Sequence, residues 1–371
     1  MSEHKVEKLV FMISSLRDSG PVNALLEILK IFSSRESFNN IELVTLRPLS
    51  ENDLSVRFQE LNINIHQLSF LQRSDGKGRS LLSVFQLIRI LRGGHVVSAG
   101  IRADFISALL SLVSKFRRFS ILMNVPHDEF QFMFGRFIGG VVARLQYWLF
   151  KRFAFNVVCC STSLKIAIST RLPDNVPRSV IYNPLLVDVT MDSKIIDKQN
   201  IVVIASVLNQ RKNVVEALAM SKAYLSPLGN SIHIFGVGDE LLKLQNQVLD
   251  EEDIIFKGYS NDLLEELGRS KILVSSSLSE GLPLAVQLAI LQRCICILSN
   301  IPAHQELRNL GKSVILYDLG CRDSFKSAVA TASSLQPKDL DITRERLLYE
   351  VDHDTILKRW IKVMEVSNDT L

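Results

Sequence analysis

Residues 270–307 read SKILVSSSLSEGLPLAVQLAILQRCICILSNIPAHQEL, and this stretch decides the fold. Ile272, Leu273 and Val274 form a short apolar run, the pattern of a fully buried parallel strand. Ser275, Ser276, Ser277 and Ser279 break that run. Pro283 stands where a first helical turn can begin, because the N–H it lacks has no partner there. Residues 284–291 continue as an apolar helix, 294–298 form a second apolar run, and Asn300 to Pro302 turn the chain again. Strand, loop, helix, strand and loop make a βαβ unit with a polar, glycine-containing loop above a helix N-terminus. Such a place binds anions, since free backbone N–H groups and the helix dipole both point to it.

The rest of the chain fits this unit. At 371 residues it suits two domains rather than one core. Hydrophobic residues make up 47% and charged residues 22%, a globular balance. No apolar run reaches the ~18 residues of a membrane span, and the opening MSEHKVEKL lacks a signal-peptide core, so an intracellular protein is expected. The five cysteines show neither a disulfide framework nor zinc spacing and read as small core residues. A net charge of +4 does not argue for nucleic acid.

In the first half, residues 9–15 read as a buried strand, followed by a loop ending in Gly20 and a helix over 22–32. This is the opening of a doubly wound domain without the repeated glycines of a dinucleotide fingerprint. Strands are expected at 41–46, 63–68, 95–98 and 119–123, with 156–161 as the last, and helices at 81–91 and 101–113. Residues 73–79 read as a polar linker. Ser161 is placed to cap a helix over 164–170. His127 follows a strand end, where open α/β sheets hold their ligands. Residues 130–155 mix aromatic and basic side chains. The favoured reading is an amphipathic helix packed on the sheet; an anionic membrane surface is a second, and nucleic acid the weakest.

In the second half, strands are expected at 201–205, 231–235, 254–256 and 314–317. Helices are expected at 214–224, 263–270 and 323–334, and one long helix over 342–366. Glycine loops follow two of the strands, at Gly236 and Gly238 and at Gly258 and Tyr259. On residue type alone, Arg211 and Lys212 read as a solvated loop end.

Ser279-Glu280-Gly281-Leu282-Pro283-Leu284, Ala289, Ser299-Asn300-Ile301-Pro302 and His304-Gln305-Glu306-Leu307 resemble the donor-sugar segment of family-4 retaining glycosyltransferases. The resemblance implies an α/β GT-B fold, two Rossmann-like doubly wound domains facing a central cleft. Residues 1–184 would form the acceptor-side domain and 185–345 the nucleotide-sugar domain. Residues 346–371 would be a helix crossing back to the first. It also implies transfer of a hexose from a UDP- or GDP-linked donor, with retention, no cofactor and no metal.

By the same resemblance, Lys212, with Arg211, stabilises the departing diphosphate, whose growing negative charge fixed cations favour. Glu280 orients the sugar and His127 contacts it. Gly20, Gly236, Gly238, Gly258, Tyr259, Gly281, Leu282, Pro283 and Leu284 border the donor. For Gly20, a tight turn needing φ > 0 explains the glycine equally well. Glu306 matches a downstream glutamate that acts as a helix cap. The chain departs from the family at two places: Ser206 stands where an arginine is usual, and Leu288 where a second glutamate grips the ribose. Gln287, adjacent to Leu288, points about 100° away around a helix. The implied acceptor is a glycan or lipid-linked glycan of O-antigen, capsule or lipopolysaccharide type, handled in the cytoplasm at the inner membrane face. The rival readings are a non-catalytic GT-B binding protein and a sugar-nucleotide epimerase.

Overall fold

A computed structural model describes residues 8–35, 38, 40–47, 54–61, 63–67, 79–185, 197–249, 251–260 and 262–366. The linker expected at 73–79 lies outside them except for Arg79. The chain divides into two compact units, Met1–Leu186 with Asp352–Leu371, and Val187–Val351. Each is a parallel sheet wrapped by helices, and together they are the two Rossmann-like domains of a GT-B fold.

The first unit runs β1 (Leu9–Ile13), α1 (Gly20–Ser33), β2 (Ile41–Thr45), α2 (Ser55–Gln59), β3 (Asn64–Gln67), α3 (Arg79–Leu91), β4 (His95–Ala99) and α4 (Ile101–Leu110). It continues through β5 (Arg117–Leu122), α5 (Pro126–Arg152), β6 (Asn156–Cys159), α6 (Thr162–Ser169) and β7 (Arg178–Val180). The strand order is β3-β2-β1-β4-β5-β6-β7. All five residues of β1 are buried, as expected where helices cover both faces of a strand. The short α2 carries too little periodic pattern to be read from sequence, and a three-residue edge strand, β7, follows β6. The strand at 156–159 is therefore not the last of this half. Ser161 caps α6 by accepting from the Leu164 N–H at 3.2 Å.

Two breaks depart from the sequence reading. The aromatic segment is not one straight helix: α5 is interrupted at Gly135, whose φ of 79° and ψ of 166° are not helical. The helix beyond this break returns across the one before it. A Cβ on Gly139 would lie 2.3 Å from the Phe130 carbonyl oxygen, so only glycine permits the crossing. The expected long C-terminal helix is two, α13 (Pro337–Val351) and α14 (His353–Val366). Asp352 stops the first and starts the second, its carboxylate accepting from the Thr355 N–H at 2.8 Å.

Helix α14 packs into the first unit. Trp360 is 1% exposed and meets Phe32 of α1 edge-on, ring centroids 6.1 Å apart. Arg117 donates to the Met364 carbonyl at 3.2 Å, and Arg35 pairs with Asp354. On the other side of the sheet the buried carboxylate of Asp104 on α4 accepts from Ser98 of β4 and, at 2.7 Å, from Gln146 of α5.

The second unit runs β8 (Gln199–Ala205), α7 (Val214–Tyr224), β9 (Ser231–Phe235), α8 (Leu241–Asn246), β10 (Ile254–Gly258), α9 (Leu263–Arg269) and β11 (Ser270–Ser275). Then follow α10 (Leu284–Leu291), β12 (Ile295–Ser299), α11 (Pro302–Arg308), β13 (Val314–Tyr317), α12 (Arg322–Ala332) and α13. The order is β10-β9-β8-β11-β12-β13, so the winding reverses between β8 and β11. Four cysteines are buried, but Cys321 is exposed at the start of α12 rather than in the core. No described helix is long and apolar enough to cross a membrane.

Candidate functional site

In doubly wound sheets ligands collect at the strand C-termini where the winding reverses. In the second unit the loops there follow β8 and β11. The first holds a 3-10 turn, Gln210–Lys212, capped by Asn209, whose side-chain oxygen accepts from the Lys212 N–H at 3.1 Å. The second is the serine-rich loop. Its Leu278 N–H donates to the Arg211 carbonyl at 2.8 Å, tying the loops together.

This tie brings Arg211, Lys212 and Glu280 into one cluster. Arg211 Nη1 donates to the Ser279 carbonyl at 2.7 Å and to Glu280 Oε2 at 3.2 Å. Lys212 Nζ donates to Glu280 Oε1, which also accepts from Ser277 Oγ at 2.8 Å. The side chains of Glu280, Lys212 and Arg211 are only 6%, 15% and 18% exposed. The two cations are therefore not a solvated loop end. Burial alone would push the Glu280 carboxyl up, but the charges of Lys212 and Arg211 outweigh it and hold the group down to about 2. Burial lowers Lys212, against the pull of Glu280. Two positive charges against one negative leave the cluster with an excess of one.

The serines that interrupt the strand pattern fix the loop. Tyr317 donates to Ser276, and Ser299 Oγ donates to the Ser277 carbonyl at 2.6 Å. Nearby His304 is fully buried, and burial lowers it to about 4, with Glu280 opposing. The sequence gives Ser277, Asn209 and His304 no site role, since a serine run and a buried histidine have no spacing signature of their own.

Gly281, Leu282 and Pro283 are buried and lead into α10, so this segment offers backbone rather than side chains. The first-turn amides of α10 lie directly after Glu280 in the chain. Gly236 and Gly238 sit where the loop after β9 crosses the loop after β8. A Cβ on Gly236 would lie 1.8 Å from the Ser206 carbonyl oxygen, and one on Gly238 2.3 Å from that of Leu208. Gly258 has φ +64° and its carbonyl accepts from the Gly236 N–H at 2.8 Å, while Tyr259 next to it is 64% exposed. Leu288 is half-buried on α10. Gln287 is 0% exposed, its side-chain amide unpartnered among the described residues, so it faces the interior and does not stand in for a ribose-binding glutamate. Glu306 lies inside α11 rather than at its cap.

Gly20 and His127 belong to the first unit. Gly20 is the first residue of α1, exposed, with ordinary backbone and nothing within 4 Å of where a Cβ would stand, so no positive φ explains it. His127 is in the first turn of α5, its Nε2 2.8 Å from the Gln131 side-chain nitrogen.

Residues 190–347 match the family model described as Glycosyl transferases group 1. The match falls within the second unit. No curated protein matches the chain in sequence. Among solved structures, the chain is similar to HepE of Anabaena in complex with UDP and glucose, with TM-score 0.78 and 16% identity, covering 96% of this chain and 99% of that one. It is similar to the lipopolysaccharide outer core galactosyltransferase WaaB in its apo form, with TM-score 0.66, 17% identity and coverage of 97% and 99%. A third is WaaG, a glycosyltransferase involved in lipopolysaccharide biosynthesis, with TM-score 0.65, 12% identity and coverage of 96% and 98%. These likenesses establish the GT-B fold, and Arg211, Lys212 and Glu280 lie within the residues that match the group 1 model.

Proposed function

We propose that the protein is a retaining glycosyltransferase moving a hexose from a nucleotide-sugar to a hydroxyl of a growing surface polysaccharide or glycolipid. The single observation that carries this reading is the buried pair of cations on Glu280 where the winding of a group 1 domain reverses. In the reaction Arg211 and Lys212 take the diphosphate, whose charge increases as the glycosidic bond breaks. The first-turn amides of α10 add donors without a countercharge. These fixed charges supply the electrophilic assistance that a divalent metal supplies elsewhere, so none is required. Glu280 orients the sugar, and His127 of the first unit is assigned to saccharide contact. The leaving phosphate takes the acceptor proton. Gly236, Gly238 and Gly258 let backbone approach the base and phosphates, with Tyr259 exposed beside them. UDP is the proposed donor nucleotide, in keeping with the HepE complex.

The acceptor is proposed to be lipid-linked and met at an anionic membrane surface. The first unit exposes Phe132, Met133, Phe137 and Ile138 on α5 and Leu112 and Val113 after α4, with Lys115 and Arg136 among them. Exposed apolar side chains interleaved with cations match a bilayer of anionic lipid. Co-sedimentation with phosphatidylglycerol vesicles, and its loss in Phe137→Asp, tests this part.

The activity test incubates the protein with UDP- and GDP-linked hexoses and measures nucleotide release with and without membrane extract. Release that rises with extract supports transfer. Donor turnover without any acceptor supports the epimerase reading, and binding without turnover the non-catalytic one.

A further inference from the structure

The first unit holds a pocket of about 500 Å³, of whose lining the reaction above uses His127 alone, a size within the range of small-molecule sites. His127, Arg144, Tyr147, Trp148, Lys151 and Arg171 line it. The break at Gly135 makes it: the returning helix lays Arg144, Trp148 and Lys151 at i, i+4 and i+7 along one face. Gly140 faces His127; a Cβ there would lie in ordinary contact with the imidazole, 3.9 Å away. Arg171 enters from the turn after α6, donating to the Ala167 carbonyl at 3.3 Å.

Two properties narrow the occupant. The first is charge. Arg144, Lys151 and Arg171 form no salt bridge among the described residues. Asp128 is the acidic neighbour, acting electrostatically on Tyr147, as does Arg171. Three cations against one carboxylate favour an anion. The second is the aromatic wall. Trp148 is 53% exposed and presents its ring, while Tyr147 is 7% exposed and forms the floor. An amphipathic ring beside fixed cations suits a pyranose carrying negative charge better than a bare anion, which has no apolar face to stack. A concave site also suits a soluble sugar better than a bilayer, which docks on a broad convex surface.

We propose that this pocket binds an anionic sugar, phosphorylated or carboxylated, as the charged part of the acceptor glycan. The proposal rests on the glycosyl-transfer reading for its place in the reaction, but binding is measured without donor, so the two fail separately. The chain has two tryptophans, and Trp360 is buried, so fluorescence quenching by a small ligand reports Trp148. The probes are glucose 6-phosphate, glucuronic acid, glucose, inorganic phosphate and phosphatidylglycerol vesicles, each titrated at low and high salt.

The expected result is quenching by glucose 6-phosphate or glucuronic acid at concentrations at least ten-fold below those for glucose or phosphate, weakening with salt. Lys151→Ala and Arg171→Ala, both at exposed positions, each weaken it several-fold and leave UDP binding unchanged. Equal response to charged and neutral sugars overturns the proposal. So does phosphate alone binding as tightly as the sugar phosphate, or no effect of either variant. Quenching by vesicles but by no soluble sugar assigns the cations to a membrane instead.

Discussion

Arg211 spans the two sides of one loop: its Nη1 donates to the Ser279 carbonyl at 2.7 Å and to the Glu280 carboxylate at 3.2 Å. The same carboxylate takes the ammonium of Lys212. A buried carboxylate held by two cations is expensive to disturb, because removing one partner leaves an uncompensated charge. It also fixes both cations in place, which under the proposed reaction would lower the reorganisation needed during transfer.

On the proposed donor site, Lys212→Ala and Arg211→Ala would each remove a charge-assisted contact to the diphosphate. A loss of about 1.5–3 kcal/mol is expected, or about 10- to 100-fold in UDP affinity. Calorimetric titration with UDP measures it. Wild-type affinity and turnover in both variants would remove Arg211 and Lys212 from the donor site.

Glu280→Gln separates the charge of this residue from its shape. With its carboxyl held at about 2 against an ordinary 4.5, Glu280 contributes stability that is full above about pH 4.5 and lost as pH falls toward 2. The variant should be less stable than wild type by about 3 kcal/mol at pH 7, with the gap closing below pH 4.5. Hydrogen exchange of the β8 and β11 amides reads this in the second unit. A gap independent of pH contradicts the ion pair.

Asp104 has the opposite sign. Burial pushes its carboxyl up to about 6, although Ser98 and Gln146 donate to it. Between about pH 4 and 6 the folded chain keeps a proton that the unfolded chain has lost, so this group makes stability fall as pH rises through that window, by about 3 kcal/mol at most. Asp104→Asn should flatten the slope. Both tryptophans lie in the first unit, so urea unfolding followed by their fluorescence reports the right domain.

Two glycines should respond in opposite ways. Gly139→Ala drives a methyl to 2.3 Å from the Phe130 carbonyl oxygen and should cost about 1–3 kcal/mol through forced displacement of backbone. Gly20→Ala meets nothing within 4 Å in an ordinary helical turn and should be neutral or stabilising by up to about 1 kcal/mol. Thermal unfolding of the two variants measures the contrast. Unchanged nucleotide release in Gly20→Ala would also separate that glycine from donor binding.

The sequence was most legible where one residue type permits one conformation. Helix α10 spans Leu284–Leu291 in the structure, as its apolar run and Pro283 indicate. The buried strands are equally plain, since helices on both faces leave only apolar side chains along them. Helix α5 was less legible: FGRFIGG carries three glycines, but they sit inside one long aromatic and basic run that reads as a single helix. Whether Gly135 bends the chain depends on what Gly139 must then pass. The α13–α14 break was hidden because Asp352, which caps α14, sits among other charged residues on a helical pattern.

The sequence by itself determined the alternation of strand and helix and the glycine, serine and proline punctuation of the β11–α10 loop, because those follow from local sterics and from which side chains leave water. Only the tertiary structure decided that Arg211, Lys212 and Glu280, some seventy positions apart in the chain, form one buried cluster. The reversal of strand order between β8 and β11 brings their loops together. Burial then strengthens the attraction between charges that the sequence lists separately.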